Sequence, residues 1–266
     1  MTTRDFQDLI WEKGRELYRD MPWRQDTRPY YVMVSELMLQ QTQVVRVIPK
    51  FEAFIAAFPD ERTLAGASLA DVLRLWQGLG YNRRAKYLHD AAKVITDEYN
   101  GVWPETVEQL VELPGIGPNT AGAIMTYAFN SRALFIETNV RTVYFHHFFP
   151  DEEGVKDGQI RTLLEETVDL EHPREFYWAL MDYGSWLKAN GVKNISRAHG
   201  YKKQSPLEGS VRQMRGAIVA VLADSDLEES VLQQAVRADN RFTPALEGLV
   251  RDGLVVRNQD ILHLTK

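Results

Sequence analysis

The sequence contains no cysteine, and this absence removes several kinds of site. Without thiolates the chain can form no disulfide, no thiolate metal site and no cysteine-ligated iron–sulfur cluster. No apolar run approaches the roughly 20 residues that span a bilayer, and the first residues, Met1 to Phe6, carry no secretory pattern. We therefore expect a soluble cytoplasmic protein without membrane contact and without a resident cofactor.

The chain also lacks an excess of basic charge, because its formal net charge is −6 over 266 residues. This balance argues mildly against a nucleic-acid partner, but net charge describes the whole surface and one face can still be basic. A hydrophobic content of 44% is enough for real cores, either in one large domain or in two to three small ones. We expect a monomer.

A glycine-rich turn separates two helical patterns near the middle of the chain. Gly115 and Gly117 allow the tight turn, and Pro118 falls where the second helix begins, since a first helical position needs no N–H. Thr120 and the small residues after it leave the amides of that helix start uncovered, which suits a phosphate at the positive end of the helix dipole. The turn is interpreted as a DNA-backbone clamp or as an ordinary αα-hairpin.

One carboxylate stands out in a long apolar pattern that predicts a helix over Tyr30–Ile48. Glu36 lies there among valine, methionine and leucine side chains. Burial raises the pKa of a carboxyl group, which suits a general acid that works near neutral pH. The alternatives are a buried ion pair and a glutamate at the helix edge.

Two further stretches favour contact with a nucleic-acid backbone. The loop Gly78–Asn82 carries an aromatic side chain and leads into Arg83 and Arg84, an arrangement that suits phosphate contact and insertion into a base stack. No acidic residue occurs between Asp182 and Glu208, where Lys202 and Lys203 are among several lysines interleaved with aromatics. A solvated basic surface is the alternative for both stretches.

Another acidic residue follows an apolar segment. Residues 133–136 are apolar, and Glu137 and Asn139 follow them at the start of a predicted helix. Glu137 or Thr138 can serve as the cap of that helix, so capping is the alternative to a chemical role for Glu137.

The last part of the chain is typical of a winged-helix module. Three helices are predicted at about 210–223, 228–237 and 243–252, and Leu254–Leu264 alternates around a turn at Asn258-Gln259 as a hairpin does. Modules of this kind bind DNA or proteins. Four acidic residues at one end of this module, between 224 and 229, favour packing or protein contact.

Several segments together resemble the helix-hairpin-helix (HhH-GPD) DNA glycosylase superfamily, and within it the MutY adenine glycosylases. The segments are Pro22-Trp-Arg, Ser35-Glu-Leu-Met-Leu-Gln-Gln-Thr-Gln-Val44, Leu75-Trp-Gln-Gly-Leu-Gly-Tyr81, Leu113-Pro-Gly-Ile-Gly117 and Ala179-Leu-Met-Asp-Tyr-Gly184. The resemblance implies an all-α, two-lobed fold. We expect a six-helix domain at 23–129, a second helical domain from 1–22 and 130–207, and a winged-helix-like domain at 208–266.

The resemblance also implies roles for individual residues. Glu36 falls on the family's catalytic acid, which protonates the adenine leaving group. Glu137 falls on the carboxylate that stabilises the oxocarbenium-like sugar, and Asn139 lies beside it near the sugar and its phosphate. Two carboxylates in unequal environments suit hydrolysis of a glycosidic bond.

The resemblance and the residue patterns lead us to expect DNA contacts from the family's wedge and opposite-base region, from the glycine hairpin and from the basic stretch. The expected DNA-binding residues are Gln40, Gln41, Thr42, Tyr81, Asn82, Arg83, Arg84, Gly115, Gly117, Asn119, Thr120, Lys202 and Lys203. The resemblance places Gln41, Thr42 and Tyr81 in the wedge and opposite-base region, where side chains fill the gap that a flipped nucleotide leaves. The backbone carbonyls of Leu113, Gly115 and Ile116 are expected to hold a monovalent cation, Na⁺ or K⁺, beside a phosphate, as they often do in the family.

The chain departs from the family pattern in several places. Glutamate replaces aspartate at Glu137, and Asn82 replaces an intercalating tyrosine. Asn119 stands where the endonuclease III branch has its lysine nucleophile, so no Schiff base can form there. The basic stretch Lys188–Lys203 replaces the cysteines of the iron–sulfur cluster. We expect no MutT-like domain of the kind that reads 8-oxoguanine in typical members.

The sequence therefore predicts a monofunctional, metal-independent glycosylase of base excision repair. It would flip a mispaired adenine, opposite guanine or 8-oxoguanine in double-stranded DNA, and hydrolyse its N-glycosidic bond. A thymine, uracil or damaged-base glycosylase of the same fold is one alternative. A non-catalytic protein that binds mismatches or lesions is the other.

Overall fold

A computed structural model describes residues 1–265 of the chain, and it confirms the predicted helical fold class. This part of the chain forms fifteen α-helices, one 3-10 helix and a three-stranded sheet. The helices are α1 (Thr3–Leu17), α2 (Pro22–Gln25), α3 (Pro29–Leu39), α4 (Val44–Ala57), α5 (Glu61–Gly66), α6 (Leu69–Trp76), α7 (Arg83–Asp97), α8 (Val107–Leu110), α9 (Pro118–Phe129), α10 (Thr138–Phe148), α11 (Asp157–Thr167), α12 (Pro173–Ala189), α13 (Val211–Leu222), α14 (Glu229–Ala235) and α15 (Phe242–Arg251). The 3-10 helix is Ile195–Arg197, and the strands are β1 (Leu227–Glu228), β2 (Val255–Asn258) and β3 (Ile261–Leu264).

The chain folds as two compact units, each built from separate segments. The first unit comprises Met1–Val32, Glu105–Glu112 and Ile116–Gln204. The second comprises Met33–Pro104, Leu113–Gly115 and the chain from Ser205 onward. The three-domain division expected from the sequence stays a prediction.

In the first unit α12 is the central helix, with α1 on one side and α10 on another. Close approach of α1 requires a glycine, because a Cβ on Gly14 would lie 2.7 Å from the Cβ of Ala179. Phe6 of α1 is fully buried, and its ring lies 5.2 Å from that of Tyr144. These contacts fix α10 and α12, the two helices whose ends carry sequence motifs.

A buried ion pair joins two of those motifs in the same unit. Asp182 accepts hydrogen bonds from Arg24 at 2.7 and 3.0 Å and from Arg19 Nε at 2.7 Å. The side chains of Arg24 and Asp182 are only 2% and 1% exposed. Loss of one partner would leave a buried charge uncompensated, which lowers the free energy of unfolding by about 3–5 kcal/mol. The Arg24–Asp182 pair therefore gives both motifs a structural reason to carry these residues.

In the second unit α7 packs against α5 and α6, and α6 against α4. Trp76 is fully buried, with its ring 6.1 Å from that of Phe54. The helix predicted over Tyr30–Ile48 is in fact two helices, since α3 ends at Leu39 and α4 begins at Val44. The chain turns at Gln41, which has a positive φ of 56°.

The carboxy-terminal part of the second unit contains α13, α14, α15 and the sheet, and we call it the carboxy-terminal module. Its strand order is β1-β3-β2, with both pairs antiparallel. The hairpin expected over Leu254–Leu264 is present, with Val255 opposite Leu264 and a positive φ at Gln259 in the turn. The short strand β1 was not predicted from the sequence, because two residues carry no readable alternation.

Candidate active site and nucleic-acid interface

The carboxylate of Glu36 lies near the end of α3 on the helix side that is not fully covered. Glu36 is half-buried, whereas the neighbouring side chains of Ser35 and Leu37 are each only 1% exposed. Val34 and Met38 are fully buried. The apolar face of α3 therefore anchors the helix in its unit, and Glu36 stands at the margin of that apolar surface.

Arg84 connects the end of α3 with the loop that precedes α7. Its guanidinium donates to five backbone carbonyls, those of Leu37, Met38, Gln40, Leu79 and Gly80. Arg84 is only 6% exposed, and burial lowers its pKa to about 10, so it stays charged at neutral pH. This placement differs from the DNA contact expected of Arg84, because the guanidinium faces the protein interior.

The two loops that Arg84 joins, residues 40–43 and 78–82, contain the residues predicted for the wedge region, and we call them the wedge loops. Thr42 Oγ1 lies 3.4 Å from the carbonyl oxygen of Leu79, a hydrogen bond that links the loops directly. Backbone strain is concentrated here, because Gln41 and Tyr81 have positive φ values of 56° and 49°. Strained non-glycine residues that the surrounding structure holds in place often mark a functional site.

Tyr81 lies between two guanidinium groups. Arg84 is 5.5 Å and Arg212 is 5.3 Å from the centre of its ring, and Arg212 Nη1 also donates to the Tyr81 hydroxyl at 2.5 Å. Arg212 belongs to α13 in the carboxy-terminal module. Sequence reasoning did not select Arg212 as a site residue, because its partner lies 131 residues earlier in the chain.

These residues line one cavity of about 370 Å³ within the second unit. The cavity brings together six of the predicted DNA-binding residues, namely Gln40, Gln41, Tyr81, Asn82, Arg83 and Arg84. The carboxy-terminal module supplies part of the remaining wall through Arg212, Arg215, Gly216 and Asp252. Its volume lies in the range of about 300–1,000 Å³ that is typical of ligand pockets.

In the first unit Glu137 is held by a segment that Asn119 fixes. Asn119 Nδ2 donates to the carbonyl oxygen of Ile136 at 3.2 Å, and Asn119 Oδ1 accepts from the Ile136 amide at 3.4 Å. Asn119 thus pairs with the backbone immediately before Glu137. Glu137 is the N-cap of α10, yet its side chain makes no capping hydrogen bond. The capping alternative therefore does not account for the carboxylate.

Asn139 is the second residue of α10 and lies in its first turn, where α12 approaches closely. A Cβ on Gly184 would collide with the backbone of Asn139, so the approach requires glycine. The side-chain oxygen of Asn139 is buried and has no hydrogen-bond partner within residues 1–265. Buried polar atoms are usually paired, so an unpaired one at a predicted site is consistent with a group kept for a ligand.

The hairpin geometry agrees with the predicted glycine turn. Gly115 has a φ of +75°, and a Cβ there would lie 2.7 Å from Cγ of Tyr87. Gly117 is the N-cap of α9 and Pro118 is its first residue, so no side chain covers this helix start from the cap position. Leu113 and Ile116, whose carbonyls were predicted to bind a cation, are both buried.

The basic stretch after α12 is mostly irregular in structure. Lys202 and Lys203 are exposed and lie outside regular elements, whereas Arg197 donates to the carbonyl oxygens of Phe149 and Pro150. Burial lowers the pKa of Lys188, and the nearby charge of Arg19 acts in the same direction. Lys202 and Lys203 are thus accessible to a phosphate backbone.

The described part of the chain has neither a cluster of metal-ligating side chains nor a helix that could span a membrane. Residues 1–265 contain no group of three or more histidine, aspartate or glutamate side chains arranged to hold a metal ion. Over the same residues, no helix combines the length and the apolar character that crossing a bilayer requires.

Comparisons with known proteins give consistent results. Residues 34–169 match the family described as HhH-GPD superfamily base excision DNA repair protein. An adenine DNA glycosylase of Mycobacterium tuberculosis (strain CDC 1551 / Oshkosh) is 34% identical, over 91% of this chain and 88% of the relative. An adenine DNA glycosylase of Buchnera aphidicola subsp. Baizongia pistaciae is 36% identical, over 73% of this chain but only 57% of the relative.

A solved structure shows a similar fold. The structure of a thermostable thymine-DNA glycosylase superposes with a TM-score of 0.62, covering 69% of this chain and 86% of that chain. Its sequence identity is 24%, so the likeness concerns the fold alone.

Proposed function

Because the chain belongs to the HhH-GPD superfamily of base excision DNA repair proteins, we propose that it is a DNA glycosylase that removes mispaired adenine. The base opposite the adenine would be guanine or 8-oxoguanine. The observation that carries this proposal is the position of Glu36, on the incompletely covered side of α3 and four residues before Gln40, where the wedge loop begins. The relatives named above are adenine DNA glycosylases, and they support adenine as the base.

In the proposed reaction Glu36 donates a proton to a ring nitrogen of the flipped adenine. The N-glycosidic bond breaks, its electron pair stays with the base, and the sugar carries an oxocarbenium-like positive charge. The carboxylate of Glu137 stabilises this charge before water adds to the anomeric carbon and releases a proton. The products are free adenine and an abasic site in an otherwise intact strand.

The residue at position 119 favours this monofunctional reaction. Asn119 has no amine, and its amide holds the backbone of Ile136, the residue before Glu137. Its proposed role is therefore to place the Glu137 carboxylate, and a Schiff base with the abasic sugar cannot form through it. Asn139, with its unpaired buried oxygen, would contact the sugar or its phosphate.

Double-stranded DNA with a mismatch or lesion is the proposed partner. Gln40, Gln41, Thr42, Tyr81 and Asn82 would fill the gap left by the flipped nucleotide. The amides at the start of α9, together with Lys202 and Lys203, would bind the phosphate backbone.

Further expectations stay part of this proposal. We propose that the hairpin carbonyls of Leu113, Gly115 and Ile116 hold a monovalent cation. The protein would act as a monomer in the cytoplasm or nucleoid. The chain has no cysteine, so no cysteine-ligated iron–sulfur cluster can take part.

Single-turnover base release tests the proposal. Duplexes with adenine opposite 8-oxoguanine, adenine opposite guanine, thymine opposite guanine and uracil opposite guanine are incubated with wild type and with Glu36→Gln. Alkaline strand cleavage then reports abasic sites. We expect release of adenine by wild type alone and nearly equal DNA affinity for both proteins.

Two other outcomes would contradict the proposal and favour a different function. Release of thymine or uracil would keep the fold and change the substrate. Equal inactivity of both proteins on every duplex, with tight binding, would favour a protein that binds mismatches without catalysis.

A further inference from the structure

The carboxy-terminal module forms part of the cavity that contains the wedge residues. Arg212, Arg215 and Gly216 are spaced so that they share one face of α13, and all three line the cavity. A Cβ on Gly216 would meet no atom within 4 Å, so this part of the wall borders open space. The module thus presents two guanidinium groups beside Gln40, Gln41 and Tyr81.

Several polar contacts fix this wall to the rest of the second unit. Asp252 accepts from Arg83 at 2.5 Å and from Arg215 at 2.6 Å, and its side chain is only 7% exposed. Burial alone would raise the pKa of Asp252, but the two arginine hydrogen bonds outweigh it and lower that pKa. Arg74 Nε adds a hydrogen bond at 2.6 Å to the carbonyl oxygen of Ala223, the residue after α13.

Arg212 is held in position but keeps unused donors. Its guanidinium donates to the Tyr81 hydroxyl at 2.5 Å and to the carbonyl oxygen of Ser205 at 3.1 Å. A guanidinium has more N–H groups than these two contacts use, and they lie in one plane. Such a group is suited to the paired acceptors on one edge of a planar ligand.

The chemistry of the wall defines the kind of ligand. Asp252 is the only carboxylate among the residues that line the cavity, and Arg83 and Arg215 already neutralise it, so the wall favours acceptors over cations. The wall also contains the side-chain amides of Gln40, Gln41 and Asn82, which are able to hydrogen-bond to the edge of such a ligand. Acceptor-rich planar groups are characteristic of nucleobases.

We infer that the cavity receives the base that loses its partner when the adenine is flipped, and that Arg212 selects a base with guanine-type O6 and N7 acceptors. Arginine pairs with these two acceptors through two parallel hydrogen bonds. This inference rests on the proposed function, because it assumes that residues 40–42 and 81–82 enter the duplex. Arg212 would then be a specificity-determining residue supplied by the carboxy-terminal module.

Binding without catalysis provides the test. Duplexes carry a tetrahydrofuran abasic analogue opposite either guanine or cytosine, and the dissociation constants are compared at one salt concentration. Wild type should bind the guanine duplex about tenfold more tightly than the cytosine duplex, because one bidentate base contact gives a preference of about this size. Arg212→Ala should bind both duplexes equally. Arg212→Lys keeps the charge without the planar fork, so it should also lose the preference while retaining more overall affinity.

The control is Arg251→Ala, which removes an exposed arginine from α15 in the same module but outside the cavity. This variant should keep the preference for guanine. An equal preference in wild type and in both Arg212 variants would overturn the inference, and so would a wild type without any preference. Because the analogue contains no base to release, failure of adenine release would refute the proposed function without changing this result.

Discussion

Replacing Arg84 by methionine should both destabilise the protein and slow base release. The substitution keeps the volume of the side chain but removes the donors to five carbonyls at the end of α3 and in the Leu79–Gly80 segment. A buried acceptor that loses its donor costs about 1–3 kcal/mol. Loss of the buried charge offsets part of this cost, because burial already disfavours the charged form and lowers the pKa of Arg84 to about 10. We expect the free energy of unfolding to fall by about 3 kcal/mol.

The same change should affect catalysis through the position of the wedge loops and of Glu36. A displacement of about 1 Å in a reacting geometry can reduce the rate by about a hundredfold. We expect single-turnover adenine release by Arg84→Met to fall by at least about tenfold at a temperature where the variant is still folded.

Urea unfolding and single-turnover kinetics are the two assays, and Arg83→Met is the matched control. Arg83 precedes Arg84 in α7, but it is exposed and pairs with Asp252, which keeps Arg215 as a second partner. The control should lose no more than about 1 kcal/mol. If Arg84→Met were as stable and as active as this control, the positioning role of Arg84 would be refuted.

Three further predictions concern other parts of the molecule. Gly184→Ala should reduce base release more than DNA affinity, because a Cβ would displace the backbone of Asn139; kcat and KM measured separately would show this. Replacing Lys202 and Lys203 by alanine should flatten the salt dependence of DNA binding, and an unchanged slope would place these lysines away from the phosphates. Burial lowers the pKa of His147 to about 4, so the unfolded state takes up a proton below about pH 6.5 that the folded state does not. Stability should therefore fall as the pH drops from 6.5 to 4, and His147→Gln should show a smaller fall in Tm over that range.

Periodicity in the sequence predicted most of the helices, because a helix that packs on one side repeats its apolar residues at helical spacing. The helix predicted at about 210–223 is α13 (Val211–Leu222), and the one predicted at about 243–252 is α15 (Phe242–Arg251). The glycine turn was also predictable, since Gly115 adopts the positive φ that such a turn needs.

The break between α3 and α4 could not be predicted in this way. Residues 40–43 contain neither glycine nor proline, so nothing local signals the end of a helix. The end depends on Arg84, which is 44 residues from Gln40 in sequence and reaches the carbonyls only in the folded chain. Tertiary contacts of this kind override local preference.

The candidate site was likewise predictable in part, and the features that could not be predicted depend on tertiary contacts. The resemblance to the glycosylase family identified Glu36, Glu137 and Asn139 as site candidates, because matching motifs assign a role to each aligned position. The inward orientation of Arg84, the pairing of Asn119 with Ile136 and the contribution of Arg212 all depend on long-range hydrogen bonds. Sequence patterns contain no record of those bonds.

The central claim is that Glu36 acts as the acid in hydrolytic release of adenine. Its most direct test is mass spectrometry of the small molecules released from a duplex with adenine opposite guanine, combined with a gel of the DNA strand before alkali. For wild type we predict free adenine and an uncut strand, and for Glu36→Gln no adenine despite normal binding. Adenine release that survives in Glu36→Gln, or a different released base, would contradict the account.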